Sequence, residues 1–122
     1  MKGSANISQG RRGETQALEY LIKKGYKIID RNFRTRNGEI DLIGIQNNVL
    51  VFIEVKTRTS QDFGIPFEAI TYYKMKALIR VAQYYKMTHS KLPEQMRIDA
   101  VSVQLNDFGM STIEHVENIS GF

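Results

Sequence analysis

The 122-residue chain contains no cysteine, which excludes disulfides and thiolate zinc sites and fits a reducing cytoplasm. It has no run of about 18 apolar residues and no apolar segment at its N-terminus, so neither a membrane span nor secretion is expected. It also lacks a phosphate-cradling Gly-rich loop, internal repeats and low-complexity tracts. Its two histidines, His89 and His115, have no partners at metal-ligand spacing and are assigned no role. What is present suits one compact domain over residues 1–122: 42% hydrophobic residues and a formal charge of +4. The basic excess is moderate and fits a polyanionic partner, although many soluble proteins share it.

The chain is organised around Gly38 to Arg58, GEIDLIGIQNNVLVFIEVKTR. Two strand-like runs meet at Asn47-Asn48, a dipeptide that tolerates positive φ and suits a tight hairpin. Pairing outward from that turn sets Ile45 opposite Leu50, Ile43 opposite Phe52, Asp41 opposite Glu54 and Glu39 opposite Lys56, all on one face. Ile40, Leu42, Val51, Ile53 and Val55 form the other. Two mainly apolar faces predict a strand pair in the middle of a covered sheet. Carboxylates directly opposite each other repel, so Asp41 and Glu54 call for a divalent cation; the competing reading is an ion pair of Glu39 or Glu54 with Lys56 on a half-exposed face.

Before the hairpin, Met1 to Gln9 reads as a mobile lead-in. A helix is expected from about Gly10 to Lys24, with Ala17, Leu18, Leu21 and Ile22 as its apolar stripe and Gly25 as its stop. Glu14 projects near the centre of that stripe, which is costly for a carboxylate unless it binds a cation or reaches solvent at the helix start; the two readings stand even. Gly10 and Gly13 leave room for close backbone approach, and Arg11 and Arg12 could meet phosphates there, against a default of a solvated surface. Tyr26 to Phe33 reads as a strand leading into a basic loop, Arg34-Thr35-Arg36-Asn37-Gly38, whose arginines, with Arg31, suit phosphate oxygens.

After the hairpin, Thr57 to Pro66 reads as a loop that could cover the site. A second helix, roughly Thr71 to Met87, buries Met75, Leu78, Ile79, Val81, Ala82 and Tyr85 and turns Lys76, Arg80 and Gln83 outward. Its Met and Tyr residues read as core. Lys74 projects at the edge of the buried stripe and either points toward the acids or snorkels past the core. Thr88 to Glu94 connects to a strand at Arg97 to Leu105, where Arg97 and Asp99 form a structural ion pair. A turn at Asn106 to Gly109 leads to a last strand near Thr112 to Val116.

The order helix, three strands, helix, two strands, with Glu14, Asp41 and Glu54-x-Lys56, resembles the PD-(D/E)xK nuclease superfamily and its restriction endonuclease-like fold. GEIDLI and EVKTR together, with Gly13-Glu14, Asn32-Phe33-Arg34, Gly64 with Pro66, Lys74, Arg97, Asp99 and Ile113 to Asn118, resemble more closely the YraN family of small bacterial proteins. The nominal proline before the first aspartate is absent, Ile40 standing there, and Ile98 replaces an expected aromatic residue. The resemblance implies an α/β fold with a central mixed sheet flanked by helices. It implies that Asp41, Glu54, Glu14 and the carbonyl of Val55 hold Mg²⁺ or Mn²⁺, Glu14 matching the first-helix acid of archaeal Holliday-junction resolvases. Lys56 matches the superfamily's lysine, and Lys74 with Arg11, Arg12, Arg34, Arg36 and Arg58 would contact the DNA backbone. The expected function is a metal-dependent, structure-selective endonuclease in DNA repair or recombination, for which a two-fold homodimer would suit a branched substrate. The competing expectation is a non-catalytic nucleic-acid-binding accessory protein on the same fold.

Overall fold

A computed structural model describes residues 2–59, 70–106, 108 and 110–120, with the α1 side chains described from Gly10 onward. The elements are α1 (Lys2–Lys23), β1 (Lys27–Thr35), β2 (Gly38–Gln46), β3 (Val49–Thr59), α2 (Tyr72–Thr88), β4 (Met96–Leu105) and β5 (Ser111–Val116). The five strands form one mixed sheet in the order β1-β2-β3-β4-β5. Only β3 and β4 are parallel; their crossover carries α2, as parallel neighbours require a long connection. The fold is the α/β arrangement expected from the sequence, in the same element order.

Each face of the sheet is covered by one helix, which explains why β2 and β3 are apolar on both sides. On one face Ala17 and Leu21 of α1 pack on Leu42, Val51, Ile53, Val101 and Val103. On the other, Leu78, Val81, Ala82 and Tyr85 of α2 pack on Ile40, Ile43, Leu50, Phe52 and Ile98. Fully burying a side chain such as Phe52 or Leu21 contributes about 1.5–3 kcal/mol. The central hairpin turns at Asn47 and Asn48 with φ of 51° and 61°, the left-handed pair that matches strand twist. Its register sets Ile45 opposite Leu50 and Ile43 opposite Phe52, as the pattern predicts.

α1 ends where glycine permits it. Gly25 takes φ +94°, and the Tyr26 and Gly25 amides donate to the carbonyls of Leu21 and Ile22, each at 3.0 Å. Its start differs from expectation: residues 2–9 are helical, because nothing in a proline-free segment stops the helix before Gly10. Ile22, expected in the buried stripe, is 53% exposed, at the margin of the helix beside Leu18 and Ile28. The two glycines also part company. A Cβ on Gly13 would lie 2.7 and 2.8 Å from Cγ2 and Cβ of Thr57, so α1 presses on β3 there, whereas nothing approaches Gly10.

Other boundaries shift in informative ways. Arg34 and Thr35 belong to β1, leaving a two-residue turn at Arg36-Asn37. Thr57 to Thr59 continue β3, paired with β4, and the rest of the expected covering loop, including Gly64 and Pro66, lies outside the described residues. Ile40 and Leu42, two apart, pack on opposite helices, so side-chain alternation breaks at Asp41. α2 begins behind Thr71, whose hydroxyl accepts from the Lys74 amide. Only part of its Met and Tyr set is core: Tyr85 is buried, while Tyr72, Tyr73, Tyr84 and Met87 are exposed.

Candidate active site

The antiparallel ladder of β2 and β3 closes at Leu42 opposite Ile53. The expected facing pairs Asp41 with Glu54 and Glu39 with Lys56 are therefore not ladder partners. Instead the Asp41 carboxylate reaches across, and its Oδ2 accepts from the Val55 amide at 2.7 Å. A side chain thus takes the place of a backbone acceptor where β2 leaves β3, while β3 continues alongside β4. Val55 meets Asp41 through its N–H.

Asp41 and Glu54 still form an electrostatic pair. Burial, then the charge of Glu54, push the Asp41 carboxyl up to about 7; the Val55 amide opposes the rise, and Glu14 and Glu39 add to it. Glu54 is buried, and its Oε1 receives Lys74 Nζ at 3.0 Å. Lys74 therefore points at the acids rather than past the core. Its pKa is raised: burial acts against this, but the bond and charge of Glu54 outweigh it. Lys56 is moved the other way, by burial and by the adjoining Lys74 ammonium. Two amines side by side with opposite shifts make a proton-holding lysine next to one that yields its proton more readily.

Glu14 enters from α1, next to the Gly13–Thr57 contact. Its Oε1 is buried without a hydrogen bond, and its ion pair is with Arg31 at 3.9 Å. That same oxygen is the one Arg31 faces, beyond hydrogen-bond reach, so a closer cation could still satisfy it. The donor chemistry of Asp41, Glu54 and Glu14 thus fits a hard divalent ion. Among the described residues, however, no three such groups already converge on one point, because Lys74 holds Glu54 and Arg31 draws Glu14.

The remaining arginines are spread around this centre. Arg34 pairs with Glu39 at 3.3 Å, and Arg36 is exposed in the β1–β2 turn. Arg11 and Arg12 are exposed on α1 and line a shallow depression with Thr15 and Glu19. Arg58 lies in register with Gln104 at the end of β3. Among the described residues none of these five forms an ion pair with Asp41 or Glu54.

A second polar cluster lies under the far end of α1, and the sequence showed only part of it. Arg97 Nε donates to Asp99 Oδ1 at 2.9 Å, the expected ion pair. Asp99 is fully buried and also accepts from Tyr26 Oη at 3.0 Å and the Asn118 amide at 3.0 Å. His115, left without a role from sequence, places Nε2 2.8 Å from Asp99 Oδ2. Burial pulls the Asp99 carboxyl up, yet His115, the Asn118 amide and Arg97 together hold it below the usual carboxylate range. The missed signal was the β4–β5 register, which sets His115 opposite Val101, diagonal to Asp99. His89 stacks on Tyr85 with ring centroids 3.9 Å apart at the end of α2.

Comparison with known proteins places this geometry in a family. Residues 13–103 match the family described as "Uncharacterised protein family UPF0102", a span from Gly13 through β4 that includes every member of the acidic centre. A UPF0102 protein of Caldanaerobacter subterraneus subsp. tengcongensis is 44% identical over 119 residues, covering 98% of this chain and 97% of the relative. One from Alkaliphilus oremlandii is 46% identical over 116 residues, covering 93% and 97%. One from Rhodococcus opacus is 38% identical over 113 residues, covering 93% and 96%. The chain belongs to the UPF0102, or YraN, family.

Proposed function

We propose that this chain is a metal-dependent endonuclease acting on DNA phosphodiesters, selective for the structure of its substrate rather than its sequence. The observation that carries the reading is the half-buried Asp41 beside the buried Glu54 at the divergence of β2 and β3, with two lysines against them. Burying two like charges is unfavourable unless a cation joins them. Asp41 and Glu54 would hold Mg²⁺ or Mn²⁺, with Glu14 and the Val55 carbonyl as further ligands. When bound, the ion polarises the phosphodiester and lowers the pKa of a water.

The chain's own groups supply the rest. Lys74, a protonated amine, leaves Glu54 for a phosphate oxygen and stabilises the charge that develops there. Lys56, beside Lys74, would help to place the attacking water, whose proton passes to solvent. One P–O bond forms to that water, one breaks to the sugar oxygen, and the leaving oxygen is protonated from solvent. Arg11, Arg12, Arg34, Arg36 and Arg58 hold phosphates, which positions DNA without reading bases. One 1–122 domain would act here, in the cytoplasm, and a two-fold dimer would present two such centres to a branched substrate. Among the described residues no helix is long and apolar enough to cross a membrane.

A non-catalytic DNA-binding role has one observation in its favour: the Lys74–Glu54 bond at 3.0 Å neutralises one acid without an ion. A cleavage panel separates the two. Purified protein with Mg²⁺ or Mn²⁺ is set against labelled single-stranded, duplex, flap and four-way-junction DNA, with Glu54→Gln alongside. The nuclease reading predicts metal-dependent cutting that falls on the order of a hundredfold or more in the variant. Equal, salt-sensitive binding with no cutting by either protein selects the accessory role.

A further inference from the structure

The outer face of α2 is built unlike an ordinary solvated helix. The helix, YYKMKALIRVAQYYKMT, carries four basic residues and no acid. Tyr72, Lys76, Arg80 and Tyr84 recur at four-residue spacing, which sets them in one row over about 18 Å. Tyr72 and Tyr73 are 69% and 81% exposed, and Tyr84 is 46% exposed. Lys76 Nζ stands 5.1 Å from the Tyr72 ring centroid, and the Tyr72 and Tyr73 rings meet edge to face at 5.6 Å. At one end the row begins two residues before Lys74, which turns to the helix's other side and binds Glu54. At the other, Tyr84 lines a surface depression with Arg34 and Arg36.

Exposed tyrosines flanking a pair of cations, with no carboxylate on the helix, complement a strand that carries both bases and phosphates. Ring faces stack only on bases that are free to turn outward, which duplex bases are not. We propose that the outer face of α2 is a binding track for unpaired DNA, with Tyr72 and Tyr73 stacking bases and Lys76, Arg80 and Arg36 meeting phosphates. This deepens the nuclease reading and rests on it: the substrate's unpaired segment lies along α2, and the phosphate entering the acidic centre is the one beside Lys74. Of the structures named above, flaps and single-stranded ends fit this track, and uninterrupted duplex does not.

The test is fluorescence anisotropy in EDTA, so that binding is read apart from cutting. Labelled oligothymidylate and a blunt duplex of equal length are titrated with wild type, Tyr72→Ala/Tyr73→Ala and Lys76→Glu/Arg80→Glu, each checked for unchanged circular dichroism. The expected result is a loss of about tenfold or more for oligothymidylate in the tyrosine variant, with duplex affinity changed less than about threefold. The charge-reversal variant loses binding to both, and its oligothymidylate binding is the more weakened. Unchanged oligothymidylate affinity in the tyrosine variant, or equal losses for both DNAs, overturns the track. So does a dimer seen by light scattering that the tyrosine substitutions dissolve without altering DNA binding, which assigns the face to a second copy. If wild type binds oligothymidylate through these tyrosines yet cuts nothing with Mn²⁺, the nuclease reading fails while the track stands.

Discussion

Opposing influences on a single proton meet at Asp41. It is drawn toward the neutral form by burial and by Glu54, and toward the charged form by the Val55 amide. Its folded value of about 7 lies above the ordinary 3.8, so between those values the folded chain binds more protons than the unfolded one. Stability from this group is therefore fully present below about pH 4 and is lost as pH rises through about 7. In metal-free protein, Asp41→Asn should raise the melting temperature above wild type near pH 8, with the gap closing as pH falls toward 4. The asparagine keeps an oxygen for the Val55 amide and removes the charge. Differential scanning fluorimetry across that range checks it; a gap that does not change with pH would mean that Asp41 titrates normally. Glu14 illustrates a different limit at this scale. Its inward projection was legible from helical periodicity, but its pairing with Arg31 depends on an irregular β1, where Asn32 takes φ 53°.

Among the elements, the contact of α1 with β3 sets how Glu14 is presented. Gly13 stands in a helix interior, where Ala would ordinarily stabilise by about 1 kcal/mol. Here its Cβ would overlap Thr57, so Gly13→Ala should instead destabilise by about 1–3 kcal/mol. In a Thr57→Gly background the obstruction is gone and the same substitution should become neutral or stabilising. Urea denaturation of the four proteins measures this, and equal costs in both backgrounds would refute the close approach. The elements themselves were largely legible. Asn47-Asn48 specified the turn and hence the Ile43–Phe52 register, Gly25 the helix stop, and the two-sided apolar pattern the central placement of β2 and β3. What could not be read was where that register ends. Period-two pairing continues indefinitely on paper, whereas Asp41 accepts from Val55 and breaks the alternation between Ile40 and Leu42. The helical start at Lys2 was hidden for a related reason: polar residues without proline suit a helix as well as a loop.

For the whole molecule, the two faces of the sheet do different things. α1 brings Glu14 to the acids and covers the Asp99 network; α2 brings Lys74 and turns a row of tyrosines and cations outward. The acids were found because Asp41 and Glu54 stand at defined distances from one turn. The Asp99–His115 contact was not, because it needs the β4–β5 register and the approach of Tyr26 together. The tyrosines were misread although periodicity set Lys76 and Arg80 outward, because Tyr72 and Tyr84, each four residues from one of these cations, fall on that same side.

The central claim is that Asp41 and Glu54 share a divalent cation. Titration of Mn²⁺ at about pH 8, where Asp41 is ionised, followed by the loss of its free-ion paramagnetic signal, tests it most directly. The account predicts saturable binding by wild type, with the protein stabilised by about 2.7 kcal/mol at a hundred times the dissociation constant. It predicts binding weakened on the order of a hundredfold in Asp41→Asn and in Glu54→Gln. No saturable binding by wild type, or equal binding by both variants, would contradict it and leave Lys74 as the partner that balances the acids.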